Sequence, residues 1–424
     1  MEHITSSATQ LDLGFVRNQF PGLQHDFVFL DNAGGSQILG PVVDKISNYL
    51  VHSNVQLGAS YEFSVIAGNR LHASISALAG FLNAAKNEEI VVGPSSTMLL
   101  RILSICISRQ WQRGDEVVVT NSDHEANVSC WQDLQEKGII VKIWQLNPET
   151  LEFDMADLKA LLTERTRLVA MVHASNILGT INPVREIARV VHHAGALICV
   201  DGVAYAPHRL IDVRQMDVDF YVCSCYKFFG PHLAMLYGKL SLLKEMDGIN
   251  HDFITKAEVP YKFQPGNFNY ELTYGTQGIS AYFVLLHDHH FPEATDLPVR
   301  TKLRKSFELI ADHEQLLANT LIDYLKTKSG IRIIGHNSGD KEKRVPVISF
   351  IHNKFMSSEV VAQVDKFRIG IRFGDFYAKK IIHDLGLEEK DGVIRVSMVH
   401  YNTVNEVKLL IEAFEEIFLT KKEA

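Results

Sequence analysis

Residues 196–238 read ALICVDGVAYAPHRLIDVRQMDVDFYVCSCYKFFGPHLAMLYG and contain three short apolar runs, ALICVD, DFYVCS and AMLYG. The runs are nearly continuous in apolar residues and do not alternate with polar ones, which is typical of strands covered by helices on both faces. Four similar runs precede them, at residues 88–93, 116–121, 139–144 and 167–175, with helical patterns in between. This alternation predicts an α/β fold with a doubly wound, mainly parallel sheet.

The pattern changes after the last of these runs. Residues 251–274 are rich in aromatic residues, Asn, Gly and Pro, and we expect a long loop there. A helical pattern at 303–328 and the apolar runs IRIIG, VPVISFIH and VIRVSMV follow. We therefore expect a large domain over residues 31–290 and a smaller α+β domain over residues 291–424. Residues 1–30 are predicted to pack on the small domain.

The composition excludes several classes of protein. The chain has 424 residues, 46% hydrophobic and 22% charged, so it can bury a large core and is not disordered. Its net charge of −8 is scattered along the chain, which argues against a nucleic-acid partner. No apolar run is long enough to span a membrane and the start shows no targeting pattern, so we expect a cytoplasmic protein. The five cysteines, an odd number, are too few for a disulfide framework.

Polar residues that follow the apolar runs are candidates for a site, because open α/β sheets bind ligands at the carboxyl ends of their strands. Lys227 follows DFYVCS in an apolar setting that lowers the pKa of an amine and lets it form a Schiff base. Asp201 ends ALICVD, while Ser95 and Ser96 open a helix that can hold a phosphate. Each residue also has an ordinary interpretation: Lys227 as a solvated lysine, Asp201 as the cap of a turn, and the two serines as a helix cap. Together the residues are those that pyridoxal phosphate requires.

Seven motifs occur in order along the chain: FLDNAGGSQ at 29, DHEANVSCW at 123, HASNILGTINP at 173, VDGVAYAPH at 200, CSCYKFFGPH at 223, IRFGDFYA at 371 and RVSMVHYN at 395. In this order they resemble the class-V aminotransferase fold, which is fold type I of the pyridoxal phosphate enzymes, and within it the cysteine desulfurase-like family. The resemblance implies pyridoxal 5'-phosphate as cofactor. It also implies a homodimer with a shared active site, which fits the long loop before residue 276.

The resemblance implies a role for each matching position. Lys227 would form the Schiff base and act as base, Asp201 would hold the pyridinium nitrogen, and His124 would stack on the ring as a catalytic residue. Asn176 would hydrogen-bond the phenolic oxygen. The implied phosphate ligands are Ser95, Ser96, Ser224, Tyr226 and, from a second subunit, Thr276. The implied substrate-binding residues are Arg395, Asn32 and Ala33. Of these, Arg395 would clamp the α-carboxylate of the substrate.

Three positions depart from the pattern of the family. Cysteine desulfurases carry a nucleophilic cysteine on the loop that aligns with IRFGDFYA, and this position is Tyr377, with no cysteine after residue 225. A phenol with a pKa near 10 cannot replace a thiolate, so we expect no persulfide there. Ala204 stands where the family has Gln or His, which leaves space for Tyr205 or for substrate. Glu125 replaces a second His.

We therefore expect a pyridoxal-phosphate-dependent lyase or transferase that acts on a small α-amino acid, with carbon–sulfur cleavage or β-elimination as its reaction. Tyr377 would either donate a proton to the leaving group or only pack against Phe373 and Phe376. An epimerase, an aminotransferase or a catalytically silent binding protein on the same fold are the alternatives. The sequence identifies neither the substrate side chain nor a sulfur acceptor. It predicts no metal site, because HDHHF at 287–291 lacks a partner at zinc spacing.

Overall fold

The computed structural model describes residues 9–420, so the first eight residues of the predicted N-terminal segment lie outside the described part. The strands are β1 (Val28–Phe29), β2 (Ile90–Gly93), β3 (Glu116–Thr120), β4 (Ile140–Trp144), β5 (Thr166–Val172), β6 (Leu197–Asp201), β7 (Phe220–Ser224), β8 (Ala234–Gly238), β9 (Ile331–Ile334), β10 (Val347–His352), β11 (Ile369–Gly370), β12 (Arg372–Gly374) and β13 (Val393–Ser397). The helices are α1 (Leu13–Arg17), α2 (Gly40–His52), α3 (Glu62–Leu82), α4 (Ser96–Ile107), α5 (Ser129–Gln132), α6 (Met155–Leu161), α7 (Val184–His193), α8 (Val213–Met216), α9 (Leu240–Glu245), α10 (Tyr270–Gly275), α11 (Gln277–His290), α12 (Val299–Lys326), α13 (Ser357–Val364), α14 (Lys379–Asp384) and α15 (Val404–Thr420).

The large sheet has seven strands in the order β2-β8-β7-β6-β5-β3-β4. The five strands β3 to β7 pair in parallel, whereas β8 is antiparallel to both of its neighbours. Each strand lies on one of the seven apolar runs, so the predicted mainly parallel α/β sheet is confirmed. Strand β4, at one edge of the sheet, is more exposed than its neighbour β3.

Helices cover both faces of this sheet. Val117 and Val119 of β3 pack into the hydrophobic cluster on one face, while Val118 packs into the cluster on the other. Successive side chains of a strand point to opposite faces, so a strand covered on both sides must be apolar at every position. Burying one such side chain fully is worth about 1.5 to 3 kcal/mol. This burial fixes the strand ends that carry the site.

The small domain is built on a four-stranded antiparallel sheet in the order β12-β13-β10-β9. The chain segment before residue 31 contacts both domains. Strand β1 pairs in parallel with β11, and Leu30 packs into the core of the small domain. Val16 and Phe20 instead pack into the large-domain cluster, and Phe20 contacts the ring of Tyr282.

The segment predicted as a long loop, residues 251–274, contains a 3₁₀ turn at Tyr261–Phe263 and most of helix α10. The amine of Lys262 fixes it by donating to the carbonyl oxygens of Lys244, Met246 and Lys256. Such bonds between distant parts of the chain are not visible in a local composition pattern. Between residues 9 and 420, none of the helices combines the length and the apolar character that crossing a membrane requires.

Candidate active site

A cavity of about 520 Å³, counting the part open to solvent, lies at the carboxyl ends of β5, β6 and β7. The structure brings together eight of the side chains that the sequence predicts as a cofactor site. They are Lys227, Asp201, Asn176, His124, Ser95, Ser96, Ser224 and Tyr226. Parallel strands end at the same edge of the sheet, so residues up to 132 positions apart in the chain meet here.

Lys227 enters the cavity from a 3₁₀ turn, Cys225–Lys227, that directly follows β7. Within residues 9–420 its Nζ has neither a hydrogen-bond acceptor nor an ion-pair partner, and the side chain is buried. Burial, together with the positive charge of Arg395, lowers the pKa of Lys227 to about 8. A fraction of the amine is therefore neutral near pH 7 and able to form a Schiff base.

Asp201 ends β6 and points a carboxylate into the cavity. Its Oδ1 accepts the N–H of Val203 at 2.9 Å, and burial raises its pKa because an isolated anion is costly there. A Cβ at Gly202 would lie 2.1 Å from the ring of Tyr221, so only glycine fits at the turn that follows. A protonated ring nitrogen is the kind of cation that would stabilise this carboxylate.

Helix α4 begins at the cavity wall with its N-terminus facing inward. The hydroxyl of Ser95 accepts the N–H of Met98 at 3.2 Å, which is the ordinary helix cap. The hydroxyls of Ser96 and Ser224 lie 2.7 Å apart. The N–H groups of Ser96 and Thr97 have no acceptor in the described chain. Free N–H groups and the positive end of the helix dipole stabilise a phosphate.

His124 is held as a neutral ring. Its Nδ1 accepts the N–H of Ala126 at 3.0 Å, so the proton of the neutral ring lies on Nε2. Burial, with the positive charges of Lys227 and Arg395, lowers its pKa to about 4. Asn176 lies on the same cavity wall and donates from Nδ2 to the carbonyl oxygen of Phe376 at 3.0 Å. A neutral His124 can stack on an aromatic cofactor without a charge to desolvate.

Arg395 lies behind the cavity wall and does not line the cavity. Its Nη2 donates to Asp31 at 2.9 Å and its Nη1 to the main-chain oxygen of Asn176 at 3.2 Å. The ring centroid of Phe376 lies 3.6 Å from its guanidinium carbon. Nε is buried without a hydrogen-bond partner in the described chain. The predicted carboxylate clamp is therefore close to the site but covered.

Three further predicted residues also lie outside the cavity. The amide of Asn32 donates to the carbonyl oxygen of Ser397 at 3.0 Å and is buried in bonds within the protein. The N–H of Ala33 donates to the hydroxyl of Ser397. Thr276 is fully buried, and its hydroxyl donates to the carbonyl oxygen of Thr273. The predicted role of Thr276 concerns a second subunit and stays a prediction.

Tyr377 lies on the loop of residues 375–378, next to the cavity wall formed by His124. Its side chain is 66% exposed, and its ring centroid lies 5.3 Å from that of His124. Its carbonyl oxygen accepts the N–H of Glu125 at 2.7 Å. In the described chain the ring contact of Tyr377 is with His124, not with Phe373 or Phe376.

The space beside Ala204 is not filled by Tyr205. Ala204 lines the cavity, whereas Tyr205 turns away and stacks on His173 at 3.5 Å. None of the five cysteines lines the cavity, and all are free and buried. Burial raises the pKa of Cys225, the cysteine nearest to Lys227 in sequence, to about 12. No reactive thiolate is therefore available at this site.

Two histidines of HDHHF, His289 and His290, contact the N-terminal segment. The Nε2 of His289 lies 2.9 Å from the carboxylate of Asp12, and its ring stacks on Phe15 at 3.8 Å. The N–H of Asp12 donates to His290. Within residues 9–420 no group of three or more His, Cys, Asp or Glu side chains could hold a metal ion. These contacts tie the N-terminal segment to α11.

Sequence reasoning missed four residues around the cavity: Asp31, Arg372, Phe376 and Asp123. The first three surround Arg395 and lie in two of the motifs, FLDNAGGSQ and IRFGDFYA, but nothing local signals the contact. Asp123 is buried and accepts from the hydroxyl of Thr120, from Asn127 at 2.6 Å and from the N–H of Val172 at 3.0 Å. Burial raises its pKa to about 8. Asp123 precedes His124 in the motif DHEAN, and this position is the one feature of the sequence that could have indicated a role at the site.

Comparisons with known proteins agree with this geometry. The family model for class-V aminotransferases matches residues 28–410. The aminotransferase-like protein FGM3 of Gibberella zeae is 40% identical, over 97% of this chain and 100% of that protein. The cysteine desulfurase-like protein ustD of Aspergillus flavus is 33% identical, over 96% of this chain and 91% of that protein. The solved structure of the cysteine desulfurase CsdA from Escherichia coli has a TM-score of 0.81 at 25% identity, covering 96% and 99% of the two chains.

The fold comparison confirms the predicted fold type I, because the match extends over both domains. The cavity fits pyridoxal phosphate on its own evidence: an unpartnered buried amine, a buried carboxylate and a helix N-terminus with free N–H groups face one another. From the motifs, the cavity and the relatives together, the chain belongs to the class-V aminotransferase family and is a pyridoxal-phosphate-dependent enzyme of the cysteine desulfurase-like type.

Proposed function

We propose that this enzyme cleaves a carbon–sulfur bond, or carries out a related β-elimination, in a small α-amino acid without a cysteine nucleophile. One observation carries the proposal. Tyr377, which the resemblance places at the loop position of the nucleophile, lies beside His124, while every cysteine is buried elsewhere. A proton donor at this position favours departure of a protonated leaving group over attack on its sulfur.

Pyridoxal phosphate, when bound, supplies an electron sink for the carbanion formed at the α-carbon. Lys227 holds the cofactor and, once the substrate amine has taken its place, accepts the α-proton at Nζ. A pKa of about 8 suits this exchange, because a base works best when its pKa lies near the working pH. Asp201 stabilises positive charge on the ring nitrogen, and Ser96, Ser224 and the start of α4 hold the phosphate.

Tyr377 and Arg395 complete the proposed set. The exposed hydroxyl of Tyr377 donates a proton to the sulfur that leaves the β-carbon. Arg395 binds the α-carboxylate of the substrate and thereby selects amino acids over simple amines. Ala204 leaves the cavity wall beside the cofactor open, and substrate fills the space that Tyr205 does not.

The test is to identify the products from L-cysteine with the purified, cofactor-loaded protein. Elimination gives sulfide, pyruvate and ammonia, with water consumed. The desulfurase route gives alanine and a persulfide on the protein. We expect the first set and no persulfide on any peptide that contains one of the five cysteines; alanine with a trapped persulfide contradicts the proposal. With an added keto acid, the keto acid of cysteine together with a new amino acid would identify an aminotransferase, and racemisation of the substrate an epimerase. A bound cofactor without turnover would identify a silent binding protein.

We also propose a homodimer with a shared active site and a cytoplasmic location. Apolar side chains of residues 43–65 lie exposed on the surface, and Met98 is exposed one turn from the start of α4. A second subunit packed there would reach the phosphate end of the cavity, where Thr276 of the partner is predicted to act. Five free thiols suit a reducing compartment, and cell fractionation with an antibody checks the location.

A further inference from the structure

Arg395 is shielded from the cavity in this conformation. Its Nη2 donates to Asp31 and its Nη1 to the main-chain oxygen of Asn176. The side chain is 2% exposed, and Nε is buried without a partner in the described chain. A bidentate carboxylate must reach two adjacent N–H groups of the guanidinium, and a side chain that is almost fully buried offers no path to them. Access to Arg395 therefore requires a neighbour to move.

Phe376 is the neighbour that covers it. The ring centroid of Phe376 lies 3.6 Å from the guanidinium carbon, and the residue is 8% exposed. Two hydrogen bonds fasten its loop to the cavity wall. Asn176 donates to the carbonyl oxygen of Phe376, and Glu125 donates its N–H to the carbonyl oxygen of Tyr377. Asn176 and Glu125 belong to segments that form the cavity wall. A change at the cavity wall can therefore alter the position of the loop.

The conformation in which Phe376 covers Arg395 contains locally unfavourable features. Phe376 and Tyr377 have φ angles of +50° and +60°, in the left-handed region that side chains disfavour. Nε of Arg395 and Oδ1 of Asn176 are buried without hydrogen-bond partners in the described chain. Strain and unpaired groups persist where the structure is tied to function. Here the strained backbone and the unpaired atoms belong to Phe376 or to residues next to it: Tyr377 in the chain, and Arg395 and Asn176 in space.

We propose that Phe376 is a specificity-determining residue that controls access of the substrate α-carboxylate to Arg395. When the carboxylate arrives, the ring of Phe376 leaves the guanidinium and the loop of residues 375–378 moves with it. Asp31 gives up Nη2 but keeps a cation nearby, because Nε of Arg372 lies 3.7 Å from its other oxygen. The proposal rests on the proposed role of Arg395.

The experiment compares two probes that differ only in a carboxylate, L-alanine and ethylamine, on the protein loaded with pyridoxal phosphate. Dissociation constants come from the change in cofactor absorbance. In Phe376→Ala the closed state loses its contact with the guanidinium, so we expect L-alanine to bind about tenfold more tightly. The affinity for ethylamine should not change. The matched control is Phe373→Ala, on the adjoining strand and 42% exposed, which should bind both probes like the unmodified protein.

A second measurement uses the unmodified protein and does not depend on a variant that folds. The N–H of Glu125 is protected by Tyr377 in the closed state, so its hydrogen exchange should accelerate with bound L-alanine and not with ethylamine. Equal or weaker binding of L-alanine by Phe376→Ala, or unchanged exchange at Glu125, overturns the proposal. The role of Arg395 is tested separately: if Arg395→Gln keeps the same preference for L-alanine over ethylamine, the proposed clamp is wrong whatever Phe376 does.

Discussion

Lys227 and His124 are the two bases of the cavity, and burial lowers the pKa of both. The pKa of His124 falls to about 4, so this ring holds no extra proton at neutral pH. The pKa of Lys227 falls only to about 8, so the amine can still take and release a proton near neutrality. Of the two residues, Lys227 is therefore the one suited to proton transfer, and His124 is suited to stacking.

The pKa of Lys227 predicts how the cofactor-free protein takes up pyridoxal phosphate. Only the neutral amine attacks the aldehyde, so the rate should rise with pH and reach half its maximum near pH 8. Stopped-flow absorbance measures this rate. Lys227→Ala should show no borohydride-reducible Schiff base, whereas Lys159→Ala, a change at an exposed lysine, should behave like the unmodified protein. A reducible band in Lys227→Ala would contradict the assignment.

Tyr377→Phe tests the proton donor. Loss of the hydroxyl should slow turnover by roughly 10² to 10⁴-fold, the effect of a missing general acid, while cofactor affinity stays the same. The ring contact with His124 is kept in this variant, so packing alone cannot explain a loss. Tyr261→Phe, at an exposed tyrosine elsewhere, is the control. Unchanged turnover would reduce Tyr377 to a packing role.

At the scale of elements, the contacts at the start of α4 predict different roles for its two serines, a helix cap for Ser95 and cofactor binding for Ser96. The hydroxyl of Ser95 accepts the N–H of Met98 and caps the helix. Ser95→Ala should therefore lower the free energy of unfolding by about 1 kcal/mol. Ser96 pairs with Ser224 inside the cavity, so Ser96→Ala should weaken cofactor binding by about tenfold through a lost bond to a charged group. Urea unfolding and cofactor titration measure the two effects. Equal losses of cofactor affinity in both variants would contradict this division.

The elements differ in how far local sequence determines them. The strands of the large sheet coincide with apolar runs because burial on both faces requires apolar residues at every position. Helix α12 was predicted at 303–328 and spans Val299–Lys326, since its periodicity is long. Strands β1, β11 and β12 have only two or three residues each, too few for any pattern. They form only because the folded chain places them side by side.

The residues of the candidate site also differ in how far the local sequence predicts their position. Lys227, Asp201 and Ser96 follow strands or open a helix, so their place in the cavity could be predicted from neighbours in the sequence. The contact between Asp31 and Arg395 joins residues 364 positions apart. Phe376 covers Arg395 only because the small domain brings their loop and strand together. No local pattern carries that information.

At the scale of the whole molecule, the two sheets contribute different parts of the site. Residues at the ends of the seven-stranded sheet line the cavity, while Arg395 and the loop of Tyr377 belong to the four-stranded sheet and its connections. Glu314 of α12, fully buried, fixes this arrangement by pairing with His208 at 2.8 Å and Arg209 at 2.9 Å. Breaking the ion pairs of a buried carboxylate costs several kcal/mol, on the order of 3 to 5. These pairs therefore hold the two predicted domains in a defined relative position.

The exposed apolar surface of residues 43–65 predicts how the molecule assembles. Phe63 is 54% exposed there, and a charge buried in an interface is strongly unfavourable, so Phe63→Asp should shift a dimer to monomer in sedimentation velocity. If the phosphate site is shared, the monomer should also bind pyridoxal phosphate more weakly. Val299→Asp, at a 57% exposed residue that opens α12, should leave both unchanged. A dimer that persists in Phe63→Asp would place the interface elsewhere, and a monomer with full cofactor affinity would show that each chain completes its own site.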